Sequence, residues 1–498
     1  MPSLLQTAVE KHRAGDLAEA EKIYRQVLEG DANNADALHL LGLVLHQHGD
    51  QDAAGENIER TIRLRPKQAE FYFNLGKVRA AQEHWSDAVS ANKKAIESKP
   101  DYAAAHCNLG VALLWQGRPA AAEETLRESL KCDDKSASAW SALGMALHHQ
   151  DKSAQANEAW EKAIILQPNF AEAHYNLAAS KLVEMDFARG WQEFAWRGRA
   201  DPQSFSPDAD GYPFSLPRWN GEALSGKSIF LWGEQGLGDQ VLFSGLLPQL
   251  EASGARILVE VEPRLKDLYE RSFPGMDVFA RDRPLSDALS AAVFDVQCPL
   301  GDLGQFLRPS PDSFPVHSGY LKAEPDRVAG LKSKYAKLGT GKPVVGISWR
   351  SPRKRFGALK STDLAESWSE VLAVPDVTFV SLQYGPVTEA LARAEQRHGV
   401  KVHHDPDIDA TRDIDGLAAQ IAAMDLVVSV SNTTVHLAGA LGVPVWTVAP
   451  SGAGRLWYWF KGLETSPWYP SMRLFQQDKP GDWGPVLSQV ATALARHF

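Results

Sequence analysis

A 34-residue period runs through the first third of the chain and restricts its fold more than any other feature. Leu-Gly recurs at positions seven and eight of the period, as Leu41-Gly42, Leu75-Gly76, Leu109-Gly110 and Leu143-Gly144. A small residue recurs at position 20 as Ala20, Ala54, Ala88, Ala122 and Ala156, and position 32 holds Pro66, Pro100 and Pro168. Small residues at fixed positions let two helices approach. Proline closes a unit where no further helical hydrogen bond is wanted. The period therefore predicts stacked helix–turn–helix units over residues 1–170.

This pattern resembles the tetratricopeptide repeat, whose units stack into an α-solenoid. A sixth unit opens at Ala171 with AEAHYNLAAS and is expected to leave the pattern at Met185. The segment DFARGWQEFAWR is then expected to supply a capping helix that solubilises the end of the stack, so that the array spans residues 1–200. Residues 201–220, rich in Pro, Ser and Asp without periodicity, read as a linker.

After the linker the texture changes to short apolar runs separated by helix-like stretches. KSIFLW, ARILVEV, VVGISW, VTFVSL, DLVVSV and VPVWTVA read as buried strands. Such alternation implies parallel sheets covered on both faces. A polar helix-like stretch from Pro325 to Lys342 divides the region into two Rossmann-like halves, 221–325 and 326–498. Ligands in such sheets bind at the carboxyl ends of the strands, which places the expected site in the cleft between the halves.

Charge and cysteine usage exclude several classes. The 498 residues carry a net charge of −10 and a pI near 5.9, against the basic face that a nucleic-acid partner requires. Cys107, Cys132 and Cys298 form neither a disulfide framework nor a zinc site and fit a reducing compartment. The N-terminus lacks the basic and apolar regions of a secretory signal. The longest near-apolar run, Leu437 to Pro450, is too short to span a bilayer. The expectation is a cytoplasmic protein without membrane insertion.

Three stretches carry chemistry. The first predicted strand runs into Gly233-Glu-Gln-Gly-Leu-Gly-Asp239, whose glycines permit a tight turn. Its spacing is not that of a dinucleotide site, and Asp239 reads either as a functional carboxylate or as a helix cap. Gly346-Ile-Ser-Trp-Arg350 ends a second strand and is followed by Arg353, Lys354, Arg355 and Lys360. These cations suit a diphosphate leaving group, or else form a solvated loop. In the third stretch Ser431, Asn432, Thr433 and Thr434 gather polar groups at a helix start, a ready anion site, and His436 in the first turn reads as a phosphate contact or a structural histidine. No metal constellation is evident, Asp405, Asp407 and Asp409 being only loosely placed after a strand-like run. The aromatic tail (Trp446, Trp457, Tyr458, Trp459, Trp468 and Tyr469) is read as an interdomain seam before a sugar platform.

Residues 221–498 resemble the heptosyltransferase-related glycosyltransferases of the GT-B fold, through GLGD at 236–239, Lys360, and SNTTVHLAGALGVP at 431–444. The order of array, linker and such a domain is similar to bacterial repeat-bearing glycosyltransferases, including those that modify flagellin, with VSLQYG at 380–385 and SPWYPSMRLFQQ at 466–477 strengthening the match. The resemblance implies Asp239 as the base that deprotonates an acceptor hydroxyl. It implies Arg350, Lys360, Gln383, Asn432, Thr433, Thr434 and His436 as donor-binding residues, with no metal and no cofactor beyond the nucleotide sugar. Ser431-Asn432-Thr433 departs from the Asp-Thr-Gly of heptosyltransferases, which argues against heptose as the sugar.

Asn74, Asn108 and Asn176 share position 6 of the period, a position that faces the groove in repeats of this type, while Ala142 interrupts the series. Asparagine amides can pair with both backbone groups of an extended peptide, as a similar ladder does in the O-GlcNAc transferases. The implied function is sugar transfer to Ser or Thr hydroxyls of a protein, flagellin being the favoured acceptor. A nonulosonic acid from its CMP form is the favoured donor, on resemblance alone. The rival readings are a catalytically silent repeat scaffold and a transferase acting on a lipid-linked glycan.

Overall fold

The computed structural model describes residues 3–201, 217–282, 289, 292–339, 341–351 and 357–498. Most of the expected linker (202–216) and the basic residues Arg353, Lys354 and Arg355 lie outside the described residues. The chain forms two compact units, Met1–Ala173 and His174–Phe498.

The first unit consists of helix pairs: α1 (Leu4–Arg13) with α2 (Leu17–Gly30), α3 (Ala35–His48) with α4 (Gln51–Leu64), α5 (Ala69–Ala81) with α6 (Trp85–Ser98), α7 (Ala103–Trp115) with α8 (Pro119–Cys132), and α9 (Ala137–His148) with α10 (Ser153–Leu166). The alanines at position 20 are fully buried. The glycines at position 8 mark where paired helices meet. A Cβ on Gly110 would stand 2.5 Å from Leu126, and one on Gly144 2.6 Å from Cδ1 of Trp160. Each intrapair turn places one residue in the left-handed region at position 15 of the period, as Gly15, Gly49, Glu83, Gly117 and Asp151. Three glycines hold that conformation without strain, and Glu83 and Asp151 hold it at a steric cost.

The sixth repeat does not break at Met185 as expected. Met185 adopts the same left-handed turn, with φ of 63°, and links α11 (Ala171–Val183) to α12 (Phe187–Phe194). Gly190 takes the place of the position-20 alanine, where a Cβ would meet Leu182 at 2.7 Å. The capping role also differs from expectation. Phe187, Trp191 and Phe194 on α12 are buried in the core of the second unit, and the Trp191 indole donates to the Arg308 carbonyl at 2.8 Å. An apolar aromatic stripe covered in this way belongs to a core, so the unit boundary falls at 173/174 instead of 200.

The second unit continues through α13 (Arg197–Ala200) into two sheets. β1 (Ser228–Trp232), β2 (Arg256–Val261), β3 (Asp277–Ala280) and β4 (Val296–Pro299) form a parallel sheet in the order β3-β2-β1-β4. β5 (Val344–Ser348), β6 (Thr378–Ser381), β7 (Leu426–Val430), β8 (Val445–Ala449), β9 (Thr465–Ser466) and β10 (Tyr469–Gln476) form a second sheet in the order β6-β5-β7-β8-β10-β9. Among these strands only the two-residue β9 runs antiparallel to its neighbour. β5, β7 and β8 are buried along their whole length, as sheets covered on both faces require. The strand order reverses between β1 and β4 in one sheet and between β5 and β7 in the other. Crevices for ligands open at such switch points.

The tail aromatics form a seam inside this unit. Trp457 packs edge-on against Trp191, 5.3 Å between ring centroids, and also meets Phe194, Phe243 and Trp468. Trp446 lies apart, on β8 against Phe475 and His497. The three cysteines are free. Among the described residues no helix is long and apolar enough to cross a membrane.

Candidate functional site

Both switch points carry the motifs singled out in the sequence. After β1 the chain turns through Gly233–Gly236 into α14 (Leu237–Ser244), and after β7 it turns through Ser431 and Asn432 into α15 (Thr433–Ala440). α14 and α15 pack against each other. A Cβ on Gly238 would stand 3.0 Å from Cδ2 of His436. Asp239 is the next residue and is partly exposed, with its Oδ2 accepting the Gly236 N–H at 3.1 Å. The capping interaction is therefore present, on a carboxylate that solvent still reaches.

At the second switch point Asn432 organises the loop. Its Oδ1 accepts the Thr434 N–H at 3.0 Å, capping α15, and its Nδ2 donates to Ser348 Oγ at 2.7 Å and to the Arg350 carbonyl at 3.2 Å. Thr433 is partly exposed at the helix start. Thr434 is fully buried, with an Oγ1 that has no hydrogen-bond partner among the described residues. Gln383, expected as a donor contact, is engaged within the loop itself. It is buried, its Oε1 accepts the N–H groups of Trp349 and Arg350 at 2.9 Å each, and its Nε2 donates to the carbonyls of Arg350 and Tyr384. Its amide is used in shaping the loop after β5. The Arg350 guanidinium turns to the Pro386 carbonyl.

His436, expected as a phosphate contact or a structural histidine, is enclosed by aromatic side chains. It is buried, Nδ1 lies 2.9 Å from the Tyr469 hydroxyl, and Nε2 lies 3.3 Å from that of Tyr458. Its ring stacks on Trp459, whose indole donates to Ser431 Oγ at 2.7 Å. Burial, reinforced by the positive charge of Lys360, lowers the His436 pKa to about 3, so the imidazole is neutral at physiological pH. Lys360, at the end of a four-residue helix and itself buried, thus acts electrostatically on the ring that touches Gly238.

Composition and spacing gave no sign of a further feature, a buried ionic cluster beneath the glycine turn. Arg197 on α13 donates to Glu234 through Nε at 2.8 Å and Nη2 at 2.5 Å, and its Nη2 lies 2.8 Å from Asp302. The Gly301 N–H donates to the same Glu234 carboxylate at 2.8 Å. Arg197 and Glu234 are almost completely buried. Burial alone would lower the Arg197 pKa, but Glu234 and Asp302 hold it above its ordinary value. Glu234, which shares the turn with Asp239, is held in this pair and is not a free base. Sequence spacing carries no signal of this pairing, because the partner lies 37 residues earlier.

The other acidic run is structural. Asp405 and Asp407 pair with Lys334 at 2.8 and 2.9 Å, and Asp405 accepts the Tyr335 hydroxyl. Among the described residues no cluster of His, Cys, Asp and Glu is arranged to hold a metal ion. In the array, Asn74 is buried with its Nδ2 2.9 Å from His39 Nε2, while Asn108 is half-buried on α7. Asn176, also half-buried, belongs to α11 in the second unit.

The helix pairs and the two sheets define a repeat protein joined to a doubly wound α/β unit. The tetratricopeptide repeat model matches residues 6–69 and 67–139. Protein FlbA of Caulobacter vibrioides is 31% identical over 538 aligned residues, spanning 98% of this chain and 89% of that protein, and the chain belongs to the FlbA family. Among solved structures, the crystal structure of MamA is 25% identical and covers 33% of this chain and 96% of its own, with a TM-score of 0.31. Pseudomonas aeruginosa pilF is 20% identical and covers 40% and 91%, with a TM-score of 0.36.

Proposed function

We propose that the second unit is a GT-B glycosyltransferase that moves a sugar from a nucleotide-sugar donor to Ser or Thr hydroxyls of a protein recruited by the repeat array. The observation that carries this reading is the contact of Gly238 with His436. It brings the Gly-Asp turn of one sheet against the polar helix start of the other, each at a switch point. Donor phosphate is held by the α15 N-terminus, through Thr433 and Thr434, with Arg350 and Lys360 supplying positive charge. Asp239 takes the proton of the acceptor hydroxyl as its oxygen bonds to the anomeric carbon. The bond from that carbon to phosphate breaks, and its electrons leave with the nucleotide. His436 serves as a neutral wall between the two motifs.

No metal enters this scheme. The acceptor best matching the family resemblance is flagellin and the donor a CMP-linked nonulosonic acid, with transfer in the cytoplasm. Mass spectrometry of flagellin and whole-cell protein, with and without this gene, reads donor mass and acceptor together. Loss of a sugar mass from one protein supports the reading. Unchanged protein with an altered lipid-linked glycan, or no change in either, overturns it.

A further inference from the structure

The glycine turn contains a residue that ought to resist its own conformation. Gln235 adopts φ of 56°, a left-handed setting that a side chain disfavours, directly between Glu234 and Gly236. Strain of this kind persists only where neighbouring contacts over-determine the backbone. On the sheet side, the Arg281 guanidinium binds the Gly233 carbonyl, and Gln240 Oε1 accepts the Glu262 N–H at 2.9 Å beside Gly233. On the other side stands Glu234, gripped by the Arg197 fork and by the Gly301 amide. A Cβ on Gly301 would fall 2.9 Å from Arg197 Nη2 and closer still to Glu234 Oε1, so the clamp is packed without slack.

We propose that Arg197 is a positioning residue: it clamps Glu234, holds the strained turn in place, and so sets where Asp239 stands opposite His436. The planar fork of arginine meets both carboxylate oxygens at once while also reaching Asp302, which the single ammonium of lysine does not reproduce. Only Gln235 and Gly236 separate the clamped Glu234 from Leu237, where α14 begins, and Asp239 caps that helix start through the Gly236 N–H. The consequence for transfer rests on the function proposed above; the clamp itself does not.

The test compares the full-length wild type with Arg197→Lys and with Glu234→Gln, which keeps the shape of the buried carboxylate should the first variant fold poorly. Hydrogen exchange is read in peptides covering 233–240 and, as reference, in β5 and β7. Exchange at 233–240 is expected to rise about tenfold or more in each variant while the reference strands stay unchanged, as local opening dictates. Turnover is expected to fall through kcat with donor KM preserved, because the donor residues lie on the other sheet. Wild-type exchange at 233–240, or an equal rise in both regions, overturns the proposal, as does an equal loss through KM. A wild type without transfer activity removes the transferase reading, and the exchange result alone then decides the clamp.

Discussion

The imidazole of His436 rests on the backbone of Gly238, 3.0 Å from where a Cβ would stand, so that Asp239 and Thr433 belong to two helix starts packed against each other. Any side chain at 238 would have to displace a ring that is buried and held by two tyrosines and a tryptophan. Gly238→Ala is therefore expected to separate α14 from α15 and to impair transfer more than it impairs folding. Kinetics beside a melting curve distinguishes the two effects.

Asp239→Asn separates a base from a cap. Asparagine can still accept the Gly236 N–H, so stability and donor affinity should hold. Loss of the proton acceptor should lower transfer by about 10²- to 10⁴-fold. Near-normal turnover by a well-folded variant would remove Asp239 from the mechanism.

Lys360→Met removes a charge that acts on His436 and, in the proposed transferase, on donor phosphate. Donor affinity measured by calorimetry in EDTA should weaken by roughly 1–3 kcal/mol, the scale for a charge-assisted hydrogen bond. The His436 pKa should move upward from about 3, since the cation that opposes its protonation is gone. Titration by NMR reads this shift. A dependence of donor binding on added magnesium would contradict the metal-free scheme.

Acid should destabilise the second unit through His436. Its folded pKa is depressed below the unfolded value of 6.5, so the unfolded chain binds the proton first. The stabilisation is complete above pH 6.5 and is lost as pH falls toward 3, by at most about 1.4 kcal/mol per pH unit. Denaturant titrations between pH 7 and 5 should show a steeper loss for the wild type than for His436→Gln.

In the array the asparagines should not behave alike. Asn108→Ala is expected to weaken acceptor capture with little change in melting. Asn74→Ala deprives buried His39 of its partner and should cost about 1–3 kcal/mol of stability. Equal capture by Asn108→Ala and wild type would argue against a peptide ladder.

Much of the fold is legible in the sequence because periodicity reports packing. The position-20 alanines and the buried strands β1, β2, β5, β6, β7 and β8 are all visible as patterns. β3 and β4 are only four residues long and carry Asp277, Gln297 and Pro299, so their apolar signal is weak. β10 shows only as part of a family motif, since Pro470 and Arg473 interrupt its apolar run. The sixth repeat is disguised because Met185 occupies a turn position that glycine usually marks, and conformation there is enforced by the flanking helices. At the site, residue type marks Asp239, Lys360, Gln383, Asn432 and His436 as candidates. A polar side chain near a ligand and one that shapes a loop look the same in sequence, so residue type alone does not reveal that Gln383 and His436 are buried among partners of their own. Arg197 and Glu234 meet only in three dimensions.

The helix α12 has a practical corollary for protein engineering. Its turn and its small residue follow the repeat template, yet its aromatic face is part of the second unit's core. Repeats cannot therefore be exchanged between relatives as cassettes cut at residue 200. A chimera must be spliced before His174, or it must import an α12 matched to Phe243 and Trp457. Where relatives differ in acceptor, variation should accordingly accumulate in the first five repeats, leaving the sixth to evolve with the sheets.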